Sequence, residues 1–403
     1  MGLEVAKGIV RLDTHVGAAE DLAFQPHAVV VWWCREPPAG CTGGIGFATD
    51  GEGEACTAWA ADDALAPGVL SRLGSETALL FCDDPRAPDA PIRGRIQFAD
   101  RGFSVQCDRP PDHAWLVHYL ALGGSDVRGA AVRSLVLDGA GVSAVTGIGF
   151  TPGLVMATAG AGSGAGEPRS DLLVTFGAAA GANQQVAAGF VARVEGGRAI
   201  VRGAQCADAL AVLPVAAASG GLGALVRVVS FDRDGFTVDA VDATSQIPLA
   251  ALALGGGSYR AGLGRARSRS TAVGFEPAGT LLFGTGLAAM SRARDIGRLC
   301  LGGFSSDRGT GCLSWSVRAR EAWPLEPRSR SSSESAFEVI DTTSGELHAR
   351  AIPSNRGRRR FSLAWPVRDR YRRDYGYIAF GSEPHGPTLI GRLRLFGGGS
   401  LRE

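Results

Sequence analysis

Short apolar runs of four to eight residues alternate along this chain with Gly, Pro and Asp. Typical runs are HAVVVWWC (27–34), TALLFC (77–82), IRGRIQF (92–98) and GFSVQC (102–107). They are typical of β-strands, because β-branched and aromatic side chains suit a pleated sheet and the bounding residues suit turns. Apolar positions at helical spacing are scarce, and only TAWAADDALAPGVLSRL (57–73) has the pattern of a short helix.

The pattern of runs recurs three times. Phe24, Phe150 and Phe275 lie in AFQPHAVVVWW, GFTPGLVMAT and GFEPAGTLLF, at spacings of 126 and 125 residues. Three further anchors follow in the same order in each copy. They are GGIGFATDG (43–51), AAGFVARVEGG (187–197) and LGGFSSDRG (301–309); FADRGFSVQ (98–106), FDRDGFTVD (231–239) and RGRRRFSLAW (356–365); and YLALGG (119–124), ALALGG (251–256) and YIAFGS (377–382). This order indicates tandem repeats of one structural unit.

We therefore predict an all-β protein of three tandem antiparallel β-sandwich (jelly-roll-like) domains. Their boundaries are 1–125, 126–258 and 259–403. The third copy is divergent and carries an extra strand-like segment after Gly381, which either closes the edge of the third sheet or adds to a neighbouring chain. In each copy the Phe-x-Pro anchor is predicted to place proline just ahead of a strand and phenylalanine inside the sandwich.

The DRG and RDG sequences before Phe103 and Phe236 are predicted to form tight hairpin turns. Asp232 and Asp234 also resemble the start of a calcium loop. Only one copy has both aspartates and no glutamate follows at the required spacing, so the turn is the favoured interpretation.

Length and composition agree with a globular protein of several domains: 403 residues, 45% hydrophobic and 20% charged. No apolar run approaches the roughly 20 residues of a membrane span, and the N-terminal sequence lacks the pattern of a secretory signal. We expect synthesis and folding in a bacterial cytoplasm. The eight cysteines form no CxxC pair or zinc-like cluster, which predicts buried free thiols and no metal site.

Charge is distributed unevenly. Lys7 is the single lysine against forty arginines, as expected for a GC-rich genome. Residues 261–403 hold 23 arginines and 13 acidic residues, a net charge of +10, whereas residues 1–260 have a net charge of −9. A basic third on an acidic body suggests head-to-tail contact with neighbouring chains or an anionic partner.

Catalytic motifs are missing from the sequence. It contains no G-x-S-x-G elbow, no P-loop and no H-E-x-x-H. The six histidines, His15, His27, His113, His118, His348 and His385, occupy different positions in the different copies. The acidic pairs Asp62–Asp63 and Asp83–Asp84 could serve a glycosidase but are interpreted as solvated loop residues. We predict no catalytic residue, no cofactor and no metal.

Two features favour binding. Trp32, Trp33, Trp59 and Trp115 crowd the first copy, where an exposed ring could stack on a sugar, although most are expected in the core. The runs RGRRRF and RDRYRRDY are expected on neighbouring strands of the third copy. Their candidate partner-binding residues are Arg358, Arg359, Arg360, Arg370, Arg372 and Arg373. Interspersed Asp369 and Asp374 favour interfacial salt bridges over nucleic acid.

The ordered motifs FQPHAVVVWW, GIGFATD, FADRGFSV and WLVHYLALGG resemble a repeat found in phage and prophage tail-associated proteins and in uncharacterised bacterial proteins. The resemblance covers roughly residues 20 to 382, and the first copy is the closest match. It implies a structural or adhesive part of a virion or virion-like particle and supplies no catalytic residue.

The sequence therefore predicts a non-enzymatic component of a phage or phage-like particle, such as a tail tip, fibre or appendage. Its expected partners are other particle proteins in a homo-oligomer or symmetric assembly, with no membrane span and no nucleic acid. One alternative is a carbohydrate-binding adhesin that recognises a host surface glycan, which exposed tryptophans would favour. The other is a glycan-cleaving enzyme, which requires two carboxylates in one pocket.

Overall fold

The fold is all-β, as predicted. The computed structural model describes residues 2–17, 20–35, 42–51, 53–61, 69–82, 91–160, 171–195, 198–214, 222–266, 268, 270–287, 290–294, 297–306, 309–319, 325–368 and 373–382. These residues form 31 strands and no helix, so the described chain includes no helix that could span a membrane. The predicted helix at 57–73 is wrong for residues 57–61 and 69–73, which are strands, and 62–68 lie outside the described residues.

The first ten strands form two sheets that pack face to face, and we call them module 1 (residues 4–123). The strands are β1 (Glu4–Leu12), β2 (Glu20–Asp21), β3 (Pro26–Arg35), β4 (Gly43–Thr49), β5 (Glu54–Ala61), β6 (Val69–Ser75), β7 (Leu79–Phe81), β8 (Ile92–Ala99), β9 (Gly102–Cys107) and β10 (Trp115–Gly123). The large sheet has the order β1-β10-β3-β4-β5-β6 and the small sheet β2-β9-β8-β7. Trp33 and Tyr119 of the large sheet meet Phe81 and Phe103 of the small sheet.

Module 2 (residues 129–255) repeats this architecture. Its strands are β11 (Gly129–Leu137), β12 (Gly141–Thr146), β13 (Leu154–Gly160), β14 (Leu172–Ala179), β15 (Gln185–Glu195), β16 (Arg198–Cys206), β17 (Ala211–Pro214), β18 (Leu222–Asp232), β19 (Gly235–Val241) and β20 (Ile247–Gly255). The large sheet has the order β11-β20-β13-β14-β15-β16 and the small sheet β12-β19-β18-β17.

Module 3 (residues 258–381) follows the same plan with one additional strand. Its strands are β21 (Ser258–Arg265), β22 (Ser270–Ala272), β23 (Pro277–Gly284), β24 (Met290–Arg294), β25 (Gly297–Ser305), β26 (Thr310–Arg318), β27 (Glu326–Ser332), β28 (Phe337–Ile340), β29 (Leu347–Gly357), β30 (Arg360–Val367) and β31 (Asp374–Gly381). The sheets have the orders β21-β31-β23-β25-β26-β27 and β22-β30-β29-β28. The additional strand, β24, pairs with β16 and covers the edge of the large sheet of module 2.

The repeated strand order corrects one sequence anchor. In module 1 the segment 43–51 contains β4, whose counterparts by sheet order are β14 and β25. The sequence pattern matched the segment 187–197 to it, but residues 187–195 lie in β15, which is the counterpart of β5 instead. The true match is marked by a glycine that approaches a backbone carbonyl closely. A Cβ at Gly46 would lie 1.9 Å from the carbonyl oxygen of Ala78. The corresponding distances are 2.1 Å from Gly177 to Leu210 and 2.3 Å from Gly302 to Ala336.

The inner strands of the large sheets are buried on both faces. In β3, Val29, Val31 and Trp33 face the small sheet of module 1, whereas Val30 and Trp32 face away from it and are equally buried. The strand β8 of the small sheet instead alternates buried and exposed residues. Continuous apolar runs such as HAVVVWWC therefore mark strands covered on two sides.

The second faces of all three large sheets meet in one hydrophobic cluster, which we call the central core. Its members include Trp32 and Trp59 of module 1, Phe176 of module 2, and Phe283 and Trp315 of module 3. Across module junctions, Trp59 and Trp315 pack edge to face with ring centroids 5.0 Å apart, and Phe176 and Phe283 do so at 4.9 Å. The predicted boundaries at 125/126 and 258/259 stay predictions.

The modules contact one another in cyclic order. Strands β5 and β6 of module 1 contact β13 and β14 of module 2, β15 of module 2 contacts β21 and β25 of module 3, and β25 and β26 contact β1 of module 1. The backbone N–H of Leu3 donates to Ser382 Oγ at 2.9 Å, which joins the two ends of the described chain. The chain thus forms a closed ring of three similar modules. The segment after Ser382, predicted as an extra strand, lies outside the described residues.

Candidate functional site

The first arginine run forms an exposed hairpin tip, which we call the basic tip (Arg358–Arg360). Arg358 and Arg359 make the turn between β29 and β30, and Arg360 begins β30. The tip is fixed by its backbone, since the carbonyl oxygen of Arg359 accepts hydrogen bonds from the N–H groups of Val273 at 2.9 Å and Gly274 at 3.3 Å. Within the described part of the chain, none of the three exposed side chains makes a hydrogen bond or an ion pair.

The corresponding tips of the other modules use their side chains to hold the fold. The β8–β9 tip is Asp100–Arg101, and Arg101 Nη2 lies 3.4 Å from Asp21 Oδ1. The β18–β19 tip is Arg233–Asp234, and the Asp234 carboxylate accepts hydrogen bonds from the N–H groups of Gly147 at 3.0 Å and Gly149 at 2.6 Å. Each of these two tips contains one acidic residue and one arginine, whereas the basic tip contains no acidic residue.

These contacts confirm the predicted turns. Asp232, the other aspartate of the calcium-like segment, accepts hydrogen bonds from the Ser230 and Thr237 hydroxyls, each at 2.8 Å. In module 2 the glycine after the turn, Gly235, is also required by close packing. A Cβ there would lie 1.8 Å from the carbonyl oxygen of Val145. Close approach of the neighbouring strand therefore requires glycine there.

The second arginine run lies at the other end of β30. Arg370 and Arg372 lie outside the described residues. Arg373 is 6% exposed, its Nη1 donates to the carbonyl oxygen of Gly286 at 2.6 Å, and burial lowers its pKa to about 10. The prediction that the two runs occupy neighbouring strands is wrong, because β30 and β31 belong to different sheets. At about 3.3 Å per residue, β30 spans roughly 23 Å from Arg360 of the first run to Val367, which precedes Arg368 of the second.

The aromatic residues that suggested a ligand are buried. Trp32, Trp33, Trp59 and Trp115 are 0% exposed, as the sequence indicated for most of them. Tyr375, the last residue of the second arginine run, is 1% exposed. Among the described residues these rings pack within modules or in the central core rather than offering a stacking surface.

The acidic pairs considered for glycan cleavage, Asp62–Asp63 and Asp83–Asp84, lie outside the described residues. One cavity in module 3 is lined by Arg298 and by a single carboxylate, that of Glu338. This carboxylate is already engaged, since Arg330 Nε donates to it at 2.9 Å and Ser335 Oγ at 2.7 Å. In the described residues no three His, Cys, Asp or Glu side chains are grouped to hold a metal ion.

The most unusual polar cluster lies where module 3 meets module 1. Lys7, in β1, is 2% exposed, and its Nζ donates to the carbonyl oxygen of Thr310 at 2.8 Å. His118, in β10, is 0% exposed, stacks on Trp32 with ring centroids 5.7 Å apart, and places Nε2 2.9 Å from Ser331 Oγ. Both side chains project from module 1 to bind β26 and β27.

Gly311 makes room for this cluster. A Cβ there would lie 1.8 Å from Lys7 Nζ and 3.2 Å from His118 Nδ1, so the two nitrogens are no more than 5.0 Å apart. His118 Nδ1 has no hydrogen-bond partner among the described residues. Because it faces the ammonium group, we assign its lone pair to Nδ1 and the proton to Nε2, which donates to Ser331.

Burial governs the ionisation of both groups. Desolvation lowers the pKa of Lys7 to about 8. The pKa of His118 is lowered well below its usual value, mainly by desolvation and to a smaller extent by the charge of Lys7. His118 is therefore neutral at physiological pH, whereas Lys7 still carries its charge. The cluster is closed to substrates, and its chemistry suits cohesion of the ring.

The other two junctions also contain buried polar contacts. Between modules 1 and 2, Thr57 Oγ1 contacts Thr158 Oγ1, and Ser71 Oγ donates to the carbonyl oxygen of Asp171 at 2.7 Å. Between modules 2 and 3, Gln205 Oε1 accepts a hydrogen bond from the N–H of Thr285 at 3.1 Å. Each contact fixes the alignment of two modules within an otherwise apolar core.

Sequence reasoning missed the Lys7–His118 cluster. The available signal is the single lysine among forty arginines, which the sequence pattern explains by genome composition alone. Lys7 Nζ fills the space that a Cβ of residue 311 would occupy, and a guanidinium group is larger than an ammonium group, which favours a lysine at this position. The predicted free thiols are confirmed for the seven described cysteines, of which Cys206 is half-buried and the others buried.

Comparison with known proteins gives no relative: no protein-family model, no curated protein and no solved structure matches this chain.

Proposed function

We propose that this protein is a non-enzymatic structural component of a phage or phage-like particle, in a tail tip, fibre or similar appendage. The observation that carries the proposal is the closed ring of three modules around one central core. Such a ring presents three similar faces about a common centre, which suits a position on a symmetric assembly. The resemblance of its repeat motifs to those of tail-associated proteins supplies the kind of assembly.

Cohesion is the role that the polar residues of the described chain support. Lys7, His118 and Gln205 are buried at module junctions and bind the neighbouring module. Free, mostly buried thiols suit folding in a reducing compartment, in line with synthesis in a bacterial cytoplasm before assembly.

The test is co-purification from the native source. Particles are purified by density gradient, and the chain is quantified in the particle fraction by mass spectrometry together with its cross-linked neighbours. We expect a fixed copy number per particle and cross-links to other particle proteins. Recovery only in the soluble fraction, with no such cross-links, contradicts the proposal. A glycan array run on the isolated chain tests the adhesin alternative.

A further inference from the structure

We propose that β12 of module 2 (Gly141–Thr146) pairs with β12 of a second copy of this chain, antiparallel and across a two-fold axis. The inference names a partner for the proposed structural role and rests on that role for its biological setting. Dimerisation is measured on the isolated chain and particle incorporation on the native source, so the failure of one proposal is distinguishable from the failure of the other.

The strand β12 is an edge strand that offers free backbone groups. It is the first strand of the small sheet of module 2, and within the described residues it pairs only with β19. The carbonyl oxygen of Val145 points towards β19, because a Cβ at Gly235 in that strand would lie 1.8 Å from it. Since backbone groups alternate in direction along an antiparallel ladder, the N–H and C=O groups of Val142, Ala144 and Thr146 point away from β19. These three residues form a template for a further strand.

The other two modules protect the same edge. In module 1 the counterpart is an isolated bridge at Val16 and the two-residue strand β2, in which both Glu20 and Asp21 are acidic. In module 3 the counterpart, β22, has three residues, and the carbonyl oxygen of Ser270 accepts a hydrogen bond from Ser268 Oγ at 2.8 Å. Short strands and charged edges prevent the addition of a further strand. By contrast, β12 has six residues and no charged side chain.

The composition of β12 favours a second copy of the same strand as its partner. A two-fold axis places a strand against itself, so a charged strand would meet like charges, whereas GVSAVT has neither a charge nor a proline. The side chain of Val142 is 69% exposed, although its neighbours on β12 and β19 belong to a packed sandwich. Pairing between copies would cover this apolar side chain.

The free backbone groups determine the register. The register that uses all three residues places Ala144 opposite Ala144 of the second copy, and Val142 opposite Thr146 of the second copy. It forms about six hydrogen bonds between the copies. Two four-stranded small sheets then become one continuous sheet. Because the contact uses the same strand on both copies, the assembly closes as a dimer.

Sedimentation velocity on the full chain is the first experiment. We expect a concentration-dependent dimer that changes little with ionic strength, because the contact involves no charged group. Ala144→Lys should weaken dimerisation about tenfold or more, since it places two ammonium groups opposite each other. Val229→Lys is the matched control, because Val229 is 49% exposed on β18 of the same sheet but does not lie at the edge. It should dimerise nearly as the wild type does.

Two further substitutions at Ala144 test the geometry. Ala144→Pro removes an N–H that points away from β19, so the chain should keep its thermal unfolding transition by circular dichroism and lose the dimer. Ala144→Cys should give a disulfide-linked dimer under mild oxidation, because opposed Cα atoms in such a pair are about 5.5 Å apart, which a disulfide can span. Val229→Cys should not cross-link.

The proposal is overturned by a wild type that stays monomeric at the highest attainable concentration, or by an Ala144→Lys variant that dimerises as the wild type does. Absence of the Ala144→Cys cross-link in a dimeric sample also overturns it, since the dimer then uses another surface. A photo-crosslinker at position 144 tests a different partner in native particles. Cross-links to another protein, from a chain that is monomeric in solution, contradict pairing between copies.

Discussion

The ring of Phe150 lies against Gly255, so that a Cβ at this glycine would be 2.7 Å from Phe150 Cδ2. The same pair recurs as Phe24 with Gly123 and as Phe275 with Gly381. The two most recognisable sequence motifs of each repeat, Phe-x-Pro and the closing glycine, are therefore the two sides of one contact. It fastens the closing strand of each module to the segment before its third strand.

We expect Gly255→Ala to lower the free energy of unfolding by about 1–2 kcal/mol, because the added methyl group overpacks the Phe150 contact. Gly51→Ala is the control, since a Cβ at Gly51 would have no atom within 4 Å. It should change stability by less than about 0.5 kcal/mol. Urea denaturation followed by circular dichroism measures both, and equal effects of the two substitutions would contradict the packing role.

A second prediction tests the shared central core. All seven tryptophans lie within the sequence ranges of modules 1 and 3, and none lies in module 2. Gly177→Ala places a Cβ 2.1 Å from the carbonyl oxygen of Leu210, inside module 2. Because the three modules share one core, we expect this substitution to lower the unfolding midpoint reported by tryptophan fluorescence. An unchanged tryptophan transition, together with loss of structure by circular dichroism, would show independent modules.

Lys7 makes stability depend on alkaline pH. Its pKa is about 8 in the folded chain against 10.5 for the unfolded one, so between these values only the unfolded chain keeps the proton. The free energy of unfolding then rises with pH across this window, by about 3 kcal/mol from this group. Lys7→Met should remove that rise, as measured by urea denaturation at pH 7.5 to 10.5 relative to wild type.

Lys7→Arg provides the size control for this prediction. It keeps the charge but brings a larger group against Gly311, so we expect it to destabilise the fold at every pH. A wild type and a Lys7→Met variant with parallel pH profiles would show that the ammonium group is not buried in the folded protein.

His118 makes stability depend on pH in the same direction, but in the acidic range. Its pKa is lowered well below the usual 6.5 in the folded chain, so below about pH 6.5 only the unfolded chain gains a proton. Each further unit of acidification should cost about 1.4 kcal/mol of stability from this group. His118→Gln can still donate to Ser331 and does not titrate, so its stability should fall less steeply with acidification. Identical slopes would indicate a solvated His118.

The sequence by itself determined the all-β, sandwich-like class and its short strands outside residues 57–73, because these depend on local patterns. Runs such as HAVVVWWC bury side chains on two faces, and the runs of the small sheets alternate. Glycine marks contacts where no side chain fits, as at Gly123, Gly255 and Gly381. Such signals are short in range and repeat with the motif that contains them.

Only the tertiary structure decided what the second face of each large sheet meets. A fully apolar strand requires a cover but does not specify which surface supplies it, and here the cover is the other two modules. Lys7 and His118 lie more than two hundred residues from their partners Thr310 and Ser331 in sequence, so their contacts between modules 1 and 3 leave no local signature. The assignment of β30 and β31 to different sheets was likewise decided by long-range pairing, which no local pattern specifies.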